Sequence, residues 1–436
     1  MPALTPQLIK KISAYKNEPK WMLELRLKAL EHFKKRPMPK WGPKLDIDFD
    51  QIVWFKPVVR RPKYTWDQVP KELKAYFEKI GIPQAEREFL AGVKLQYDSS
   101  VIYGSLKKYL KQQGVIFLDT DTALKKYPHF FKEYFGKLVP FTDNKFAALN
   151  TAVWSGGSFI YVPPGVKLTT PLHAFFRISK YGTGQFERTL IIVDKDAELE
   201  YIEGCTAPLE KSYSLHAAVV EIFVKEGAKM KYSTLQNWSK NVYNLVTKRA
   251  KVEKNASMMW VDVNAGSKVT MKYPSCILSG EGAKGSIYGL SIADTGQFQD
   301  TGTKMVHLAP NTKSVVVSKA IGKNSGVNNY RGLIHIAKQA KNSSSDITCD
   351  ALLLSPQSKA GTIPVNRVYN TTSRVNHEAS ISTLDQKKLF YLYSRGFDYV
   401  KAKNAVVSGF VESIKVNLPL EFAREFNAFL ETNLAE

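Results

Sequence analysis

Cysteine is scarce in this chain, since its 436 residues include only Cys205, Cys276 and Cys349. These thiols lie 71 and 73 residues apart in the sequence. Three distant cysteines cannot form a disulfide framework, and the chain has no Cys-x-x-Cys pair of the kind that binds structural metals. Free thiols persist in reducing compartments, so the sequence predicts a cytoplasmic protein whose cysteine chemistry depends on single thiols.

Long apolar runs are also lacking. Residues 1–15 contain no continuous apolar core of a secretory signal, and no later stretch of about 18 apolar residues predicts a membrane span. A phosphate-binding loop is incomplete as well, because Gly280–Ser286 has the glycine spacing but lacks the lysine. The sequence therefore predicts no membrane partner and no ATP hydrolysis by this chain. Any energy from nucleotide hydrolysis must enter through another polypeptide.

Acidic residues are outnumbered, with 62 Lys and Arg against 40 Asp and Glu and a formal net charge of +22. Such an excess can indicate nucleic acid, an anionic surface or an acidic protein as the partner. The basic residues form only small clusters, such as Lys34–Arg36, and no nucleic-acid-binding motif is present. We interpret the charge as a solvated surface, with an acidic protein as the alternative, and do not expect nucleic acid as a partner.

The chain divides into three zones by its hydrophobic pattern. Residues 1–145 contain segments with helical spacing, for example over 70–80, and predict a mainly helical N-terminal domain. Residues 146–384 change to β-branched and aromatic runs separated by Gly, Asn and Asp, which predicts strands. Residues 385–436 return to helical spacing, including a segment over 420–434. A length of 436 residues agrees with two or three domains.

A similar polar turn recurs four times in the middle zone. The turns are Asp194–Ala197, Lys225–Ala228, Glu253–Ala256 and Gly280–Ala283, and their alanines are 31, 28 and 27 residues apart. Each turn precedes an alternating segment. A turn that recurs at this interval predicts the coils of a β-solenoid, in which each coil buries its apolar face on its neighbours. Four degenerate turns are also compatible with a β-sandwich.

Short motifs across nearly the whole chain provide a more specific signal. They are Asn17–Trp21, Trp154–Gly165, Gly184–Thr189, Ser214–His216, Gln236–Trp238, Met271–Cys276, Tyr330–Leu333, Cys349–Leu353, His377–Ala379 and Leu389–Tyr391. This set resembles the SufB/SufD family of the Suf iron–sulfur cluster assembly (SUF) system, and within it the SufB branch. The resemblance implies a mainly β fold with helical ends. Its core would be a right-handed parallel β-helix, and the C-terminal helical cap over 385–436 would dock the SufC ATPase.

The resemblance also implies a function, which is that of a scaffold for de novo iron–sulfur cluster assembly rather than an enzyme. The scaffold would accept persulfide sulfur from a donor protein, together with iron. It would build a transient [4Fe-4S] or [2Fe-2S] cluster at an interface with SufD or a second SufB copy, and transfer it to apo-proteins. Reduced flavin is associated with such complexes, although no flavin-binding fingerprint is present in this chain.

The supply of ligands in one chain is limited. Iron–sulfur clusters are usually held by four cysteine thiolates, because soft sulfur donors suit iron bridged by sulfide. This chain has only three cysteines, so it cannot provide four thiolates. A cluster shared across a subunit interface, a cluster completed by oxygen and nitrogen donors, and no cluster at all remain open alternatives.

One thiol is implied as the sulfur acceptor by the resemblance. Cys205 would take the persulfide sulfur, and a path lined by Arg177, Gln236, Trp238 and Lys248 would lead inward through the β-helix. The cations Arg177 and Lys248 would favour thiolate or persulfide anions. Surface ion pairs are the alternative interpretation for both cations, and core packing is the alternative for Trp238.

A second thiol is implied at the site of cluster assembly. Residues that match Cys349 and Glu378 are implicated there in the family, with His377 beside them as a weaker candidate metal ligand. His377 and Glu378 follow Cys349 by about one coil and could supply imidazole and carboxylate donors on the same face. His377 alone is more typical of a hydrogen-bonded structural histidine. Cys276, which lies between Pro274 and apolar residues, fits a buried small hydrophobe.

Two other functions remain as alternatives. A SufD-like interaction subunit without catalytic function would share the solenoid and the helical cap, although the contexts of Cys205 and Cys349 favour the SufB branch. A β-helix enzyme that acts on polysaccharides would need paired carboxylates in a groove. Glu187, Glu200, Glu203 and Glu221 are present, but their spacing indicates no pair.

Overall fold

A computed structural model describes residues 3–57, 90–178, 183–206 and 213–418, together with the single positions 426 and 430. The helical segment predicted over 70–80 lies outside the described residues. The helical segment predicted over 420–434 also lies outside the described residues, apart from positions 426 and 430. All statements below concern the described part of the chain.

Helices lie towards both ends of the described chain. They are α1 (Pro6–Lys16), α2 (Lys20–Lys35), α3 (Lys108–Gln112), α4 (Thr120–Lys126), α5 (Pro128–Tyr134), α6 (Lys145–Val153), α7 (Gln386–Ser394) and α8 (Tyr399–Lys415). Several begin at a polar residue whose side chain accepts a hydrogen bond from a backbone N–H of the first turn, as Thr5, Asn144, Asp385 and Asp398 do. This capping fixes where these helices start, because the first N–H groups of a helix have no partner within it.

Ten strands form the first sheet. They are β1 (Gly92–Tyr97), β2 (Ser100–Gly104), β5 (Leu172–Arg177), β8 (Glu198–Thr206), β11 (Lys229–Asn237), β13 (Ser257–Ala265), β16 (Lys284–Ala293), β18 (Lys313–Gly322), β20 (Ser344–Leu353) and β22 (Arg374–Thr383). Their order across the sheet is β2-β1-β5-β8-β11-β13-β16-β18-β20-β22.

Twelve strands form the second sheet. They are β3 (Ile116–Asp119), β4 (Ser158–Val162), β6 (Gly184–Gln185), β7 (Arg188–Val193), β9 (Ser214–His216), β10 (Val219–Val224), β12 (Val242–Val252), β14 (Val269–Lys272), β15 (Ser275–Leu278), β17 (Phe298–His307), β19 (Val327–Ile336) and β21 (Lys359–Val368). Their main order is β21-β19-β17-β14-β12-β10-β7-β4-β3. β15 pairs with β12 and β17, while β9 pairs with β6 and β12.

The chain alternates between the two sheets, and each coil of the resulting parallel β-solenoid contributes strands to both sheets. Described pairs are parallel except β1 with β2 and β3 with β4. The predicted solenoid is therefore confirmed, and the β-sandwich alternative is excluded because a sandwich is built from antiparallel hairpins. The first 145 residues contribute β1, β2 and β3 to these sheets as well as helices, and β22 ends just before the last helical zone begins at 385.

The repeated turns are corners that stack from one coil to the next. Asp196, Gly227, Asn255 and Gly282 have left-handed backbone, and the alanine after each is fully buried. The N–H of each residue donates to a carbonyl of the following turn, for example Asp196 to Glu226 at 2.9 Å. The left-handed backbone continues at Asn311, whose N–H donates to the Lys341 carbonyl, and at Asn342, whose N–H donates to Thr372 Oγ1 instead. The sequence pattern missed these two turns because Thr312 and Ser343 replace the alanine.

The helical N-terminal part is joined to the solenoid by a buried ion pair. Arg188 and Glu221 lie on neighbouring strands β7 and β10, their side chains are about 1% exposed, and Arg188 Nη2 donates to Glu221 Oε2 at 2.5 Å. The Glu221 carboxylate also accepts from the N–H groups of Gly136, Leu138 and Val139 at 2.8 to 2.9 Å. One carboxylate therefore satisfies a guanidinium and three backbone donors.

Glu221→Ala is expected to lower the free energy of unfolding by about 3–5 kcal/mol, because it leaves the buried Arg188 charge with only neutral hydrogen-bond partners. Urea unfolding followed by circular dichroism would measure the loss. Glu226→Ala is the matched control, since its half-exposed side chain makes only a surface pair with Lys195 at 3.8 Å and should change stability by less than about 1 kcal/mol. Equal losses in both variants would contradict this account of the junction.

Candidate functional site

The space between the two sheets contains polar side chains, although most of it is apolar. Side chains alternate along each strand, and the parallel register aligns equivalent residues from coil to coil. One aligned row contains Cys205, Gln236, Asn264, Ser291, Ala320 and Ala351. The neighbouring row contains Glu203, Thr234, Asp262, Gly289, Ser318 and Cys349. We call this inner space the lumen.

Cys205 lies at the end of β8 with only 3% of its surface exposed. Its Sγ is 3.8 Å from Glu203 Oε1 and 3.7 Å from Gln236 Nε2. Burial raises the pKa of the Cys205 thiol well above its ordinary value, and the Glu203 carboxylate raises it further. Lys248 opposes both effects. Cys205 is therefore a protonated thiol at neutral pH, next to the amide of Gln236.

Lys248 is buried in the lumen rather than on the surface. Its Nζ donates to Thr234 Oγ1 at 2.7 Å and lies 3.5 Å from Asp262 Oδ1 and 3.7 Å from Glu203 Oε1. It also lies 4.6 Å from the ring centroid of Tyr232, whose hydroxyl donates to Glu203. The alternative interpretation of Lys248 as a surface ion pair is wrong, because its side chain is fully enclosed.

Lys272 and Asp262 form a second charged pair that the sequence analysis missed. Lys272 Nζ is 2.7 Å from Asp262 Oδ1 and 3.0 Å from Asn264 Oδ1. Burial lowers the pKa of Lys272 to about 8, although Asp262 opposes that shift. Burial disfavours the Asp262 carboxylate, but Lys272 and Lys248 hold its pKa at about 2. The available signal was the alternation of Asp262 and Asn264 with valines in β13, which places two polar groups in the lumen.

Trp238 and Arg177 occupy different surroundings. Trp238 is buried in the main apolar cluster, and its ring centroid is 4.8 Å from that of His216. His216 in turn contacts Glu187 Oε2 at 2.8 Å. Arg177 aligns with Thr206, one position beyond Cys205, and is half-buried on the face of β5 that points away from the lumen. The structure thus brings Gln236 and Lys248 into the lumen near Cys205 and places Arg177 on the outer face.

Two small cavities continue the lumen towards Cys349. The first, of about 20 Å³, is lined by residues that include Asp262, Lys272 and Gly289. The second, also about 20 Å³, is lined by residues that include Cys349. Thr301 and Ser318 line both cavities. Each has room for about one water-sized molecule. The two cavities therefore adjoin each other on the way from the charged pair to Cys349.

The separation of the two thiols follows from the strand spacing. Five steps between neighbouring strands lead from β8 to β20, through β11, β13, β16 and β18. Neighbouring strands lie about 4.8 Å apart, so Cys205 and Cys349 are about 24 Å apart along the solenoid. A cysteine side chain cannot span this distance, and direct exchange between the two sulfur atoms is excluded in this structure.

Cys349 lies one coil before the end of the solenoid and contacts His377. Its Sγ is 3.7 Å from His377 Nε2, and the Nδ1 atom of His377 is buried without a hydrogen-bond partner in the described structure. Burial raises the pKa of Cys349 to about 12, although a hydrogen bond with Tyr330 opposes the shift. Burial lowers the pKa of His377, so its imidazole is neutral at pH 7. A neutral imidazole and a thiol are groups that bind metals once the thiol loses its proton.

Glu378 is not on the same face as Cys349. Consecutive residues of a strand point to opposite faces, so His377 faces the lumen while Glu378 aligns with Thr348 and is exposed. The expectation that His377 and Glu378 present donors on one face is wrong for this single chain. Within the described residues, no group of three or more His, Cys, Asp and Glu side chains is arranged to hold a metal. Cys276 is fully buried in the apolar core.

The last coil presents open edges. Among the described strands, β21 and β22 each pair on one side only, and both are largely exposed. Exposed large apolar side chains cluster on these strands and on the helices that follow; they are Ile363, Val365, Val368, Tyr369, Ile381, Phe390, Tyr391, Tyr393, Phe397, Tyr399 and Val400. Unpaired strand edges of this kind are templates for pairing with another chain.

The carboxylates considered for a polysaccharide-acting enzyme do not converge. Glu187 contacts His216, Glu221 is held by Arg188, and Glu203 lies in the lumen beside Tyr232. Glu200 makes a surface pair with Lys231 at 2.8 Å. No two of these four form a pair across a groove, so the structure gives this alternative no support.

The environment of Cys205 makes its reactivity sensitive to a single charge. Because the Glu203 carboxylate disfavours the thiolate, Glu203→Gln should lower the pKa of Cys205 and speed its alkylation by iodoacetamide at pH 7.5. Lys248→Met should slow it by removing the opposing cation. Peptide mass spectrometry would measure both rates, and the fully buried Cys276 should stay unalkylated as long as the fold is intact. Faster alkylation in Lys248→Met would contradict this electrostatic account.

The structure is a parallel β-solenoid with one thiol in its lumen and a second thiol near its open end. Two family models match the sequence of this chain. The model for the SUF system FeS cluster assembly SufBD core domain matches residues 176–410, and that for the SufBD protein N-terminal region matches residues 93–174. The chain therefore belongs to the SufBD family of iron–sulfur cluster assembly proteins.

Individual relatives agree with this assignment. Iron-sulfur cluster assembly protein SufB of Bacillus subtilis is 52% identical over 429 residues, which cover 98% of this chain and 92% of the relative. Iron-sulfur cluster assembly SufBD family proteins of Staphylococcus epidermidis and Staphylococcus aureus match at the same identity and coverage. The resemblance inferred from the sequence motifs is confirmed. In the described structure, none of the helices is both long enough and apolar enough to span a bilayer.

Proposed function

We propose that this protein is a scaffold on which an iron–sulfur cluster is assembled between two chains. The observation that carries the proposal is the position of Cys349 and His377, next to the unpaired edges of the last coil. Together they offer two donors where a cluster usually needs four. A second chain against β21 and β22 would supply the missing ligands, and Glu378 could take part only through such a partner or a rearrangement of the edge.

Sulfur enters this scheme at Cys205. Its thiolate attacks the terminal sulfur of a donor protein's persulfide, so that a new S–S bond forms on Cys205 and the donor's thiolate leaves. The proton of the Cys205 thiol must first be lost, and the nearby Lys248 stabilises the anion that results. Gln236 donates to the same sulfur and would orient the persulfide.

Passage to Cys349 requires a small carrier, because the two thiols are about 24 Å apart. Two electrons from a reductant release hydrosulfide from the Cys205 persulfide and restore the thiol; reduced flavin or a dithiol could supply them. Lys248 and Lys272 line the first part of the lumen and would attract an anion, an effect that the neighbouring Glu203 and Asp262 carboxylates oppose. The adjoining cavities then lead past Ser318 to Cys349, where hydrosulfide and iron would meet.

The partners follow from the two exposed surfaces. Edge strands β21 and β22 would pair with SufD or with a second copy of this chain and continue both sheets across the interface. The exposed aromatic residues of α7, among them Phe390 and Tyr391, suit docking of the SufC ATPase. SufC would supply ATP hydrolysis, and apo iron–sulfur proteins would receive the finished cluster.

The proposal predicts a transferable product. The complete complex, reconstituted anaerobically with ferrous iron, a persulfide-loaded donor and a reductant, is expected to show the visible absorption and Mössbauer spectra of an iron–sulfur cluster. Mixing with an apo-ferredoxin should move that spectrum to the ferredoxin. Cys276→Ser is the matched control and should behave like the unaltered chain. A cluster that never forms, or one that stays bound in the presence of excess apo-ferredoxin, would contradict a scaffold function.

A further inference from the structure

A cleft of about 560 Å³ lies on the outer face of the second sheet, away from the lumen. One wall consists of the segment that follows α2, including Arg36 and Trp41, and of the first turn of α6. The floor is formed by outward-facing residues of β12, β15, β17, β19 and β21. Its volume is in the range of sites that bind small organic molecules. We refer to it as the outer cleft.

Positive charge is in excess in the outer cleft. Six cationic side chains line it, namely Arg36, Lys145, Arg249, Lys304, Arg331 and Arg367, against the single lining carboxylate of Asp143. Asp143 is paired with Arg249 at 2.8 Å, and Arg331 is paired with Asp300 beneath the floor at 2.7 Å. The N-terminal end of α6, with its partial positive charge, also points to this wall.

Lys304 is one of the cleft cations that form no ion pair among the described residues. It stands in register with Ser275 and Leu333 in the middle of the floor and is half-buried, and no carboxylate of the described chain forms an ion pair with it. Burial and the neighbouring Arg249 lower its pKa, and Arg367 adds to this effect, with only Asp143 in opposition. Lys304 is thus within electrostatic range of two other cations and one acid. An anion placed among them would relieve their repulsion.

Two aromatic side chains lie beside these cations. The ring centroids of Trp41 and Tyr273 are 5.3 Å apart, and the Trp41 side chain is 47% exposed. Arg331 lies 5.7 Å from the centroid of Trp41. Exposed apolar side chains of Ile363 and Val365 extend the floor on the other side. A planar ring could pack against Trp41 while an attached anionic group reaches Lys304.

We propose that the outer cleft binds a nucleotide, with its phosphates among Lys304, Arg249 and Arg367 and its base against Trp41. The combination of a cationic centre and an exposed indole favours this class over inorganic anions, which need no ring, and over apolar molecules, which need no cations. Binding does not imply hydrolysis, because no complete phosphate-binding loop is present in the sequence. The proposal is independent of the cluster chemistry in the lumen.

Isothermal titration calorimetry of the full-length chain with ADP tests this inference in the absence of iron and sulfide. ADP is expected to bind, and adenosine and inorganic phosphate alone are expected to bind at least about tenfold more weakly. Lys304→Ala should weaken ADP binding by about tenfold, the value of one charge-assisted hydrogen bond. Trp41→Ala should weaken it by about fivefold through loss of ring packing.

Matched controls separate a site from general charge and folding effects. Lys359→Ala removes an exposed cation from β21 outside the cleft, and Tyr109→Ala removes an aromatic side chain as exposed as Trp41, at 46%. Both should leave ADP affinity unchanged, and circular dichroism should show all four variants folded. Absence of ADP binding, equal effects of Lys304→Ala and Lys359→Ala, or phosphate binding as tight as ADP would each overturn the proposal.

Discussion

Cys349→Ala is expected to abolish stable cluster formation in the reconstituted complex, with bound iron falling at least about tenfold. Cys349 is the one thiol that lies next to an imidazole at the open end of the solenoid. Thiolate is the strongest iron ligand that a protein offers, and alanine leaves no donor atom in its place. Iron analysis and Mössbauer spectra of the anaerobic complex would measure the loss.

His377 provides the graded comparison for this result. His377→Ala removes the second donor but keeps the thiolate, so a smaller loss of iron and an altered Mössbauer spectrum are expected. Cys276→Ala is the control for removal of a thiol, because Cys276 is enclosed in the apolar core and its loss should affect only stability. A Cys349→Ala complex that keeps a full cluster would remove Cys349 from the proposed ligand set.

Ser318→Val is expected to stop sulfur delivery through the lumen without removing any ligand. Ser318 lines both small cavities, which have about 20 Å³ each, so a larger side chain should close the connection between them. Radiolabelled sulfur from a persulfide donor should still load Cys205, while cluster formation falls by about tenfold or more. The cost in stability should be about 1–3 kcal/mol, as for other overpacked sites.

The control for this variant is Ser318→Ala, which keeps the passage open and should form clusters at the normal rate. Free sulfide supplied in solution is expected to restore cluster formation in Ser318→Val if it reaches Cys349 from the open end. Normal delivery from the persulfide donor in Ser318→Val, with the fold intact by circular dichroism, would show that sulfur travels outside the lumen.

The solenoid could be predicted from sequence because its coils repeat a local requirement. Each corner needs a residue that tolerates left-handed backbone, followed by a small buried side chain, and Asp196–Ala197 and Gly282–Ala283 meet both needs. The last two of these turns were missed in the sequence, because Thr312 and Ser343 occupy the position that alanine occupies in the other turns. Strands β1 to β3 were also missed. β1 and β2 form a local hairpin, β1 and β3 otherwise pair with the distant strands β5 and β4, respectively, and none of the three carries the repeated turn.

The lumen was harder to predict than the fold. Lys248 could be named from the family motifs, but its burial could not, because charge in a sequence usually indicates solvent. Its partners Asp262 and Glu203 come from other coils and are brought together only by the register of the strands. His377 and Glu378 are consecutive residues of one strand, so their side chains point to opposite faces. This difference could have been predicted from the sequence once the segment was assigned as a strand.

The number of chains that hold one cluster tests the central claim most directly. Native mass spectrometry of the anaerobically reconstituted protein resolves the single chain from the two-chain species and counts the iron and sulfide in each. We expect the cluster only in the two-chain species, with the single chain free of iron. A single chain that carries the full cluster, and that keeps it after Cys205, Cys276 and Cys349 are all replaced, would contradict assembly at an interface.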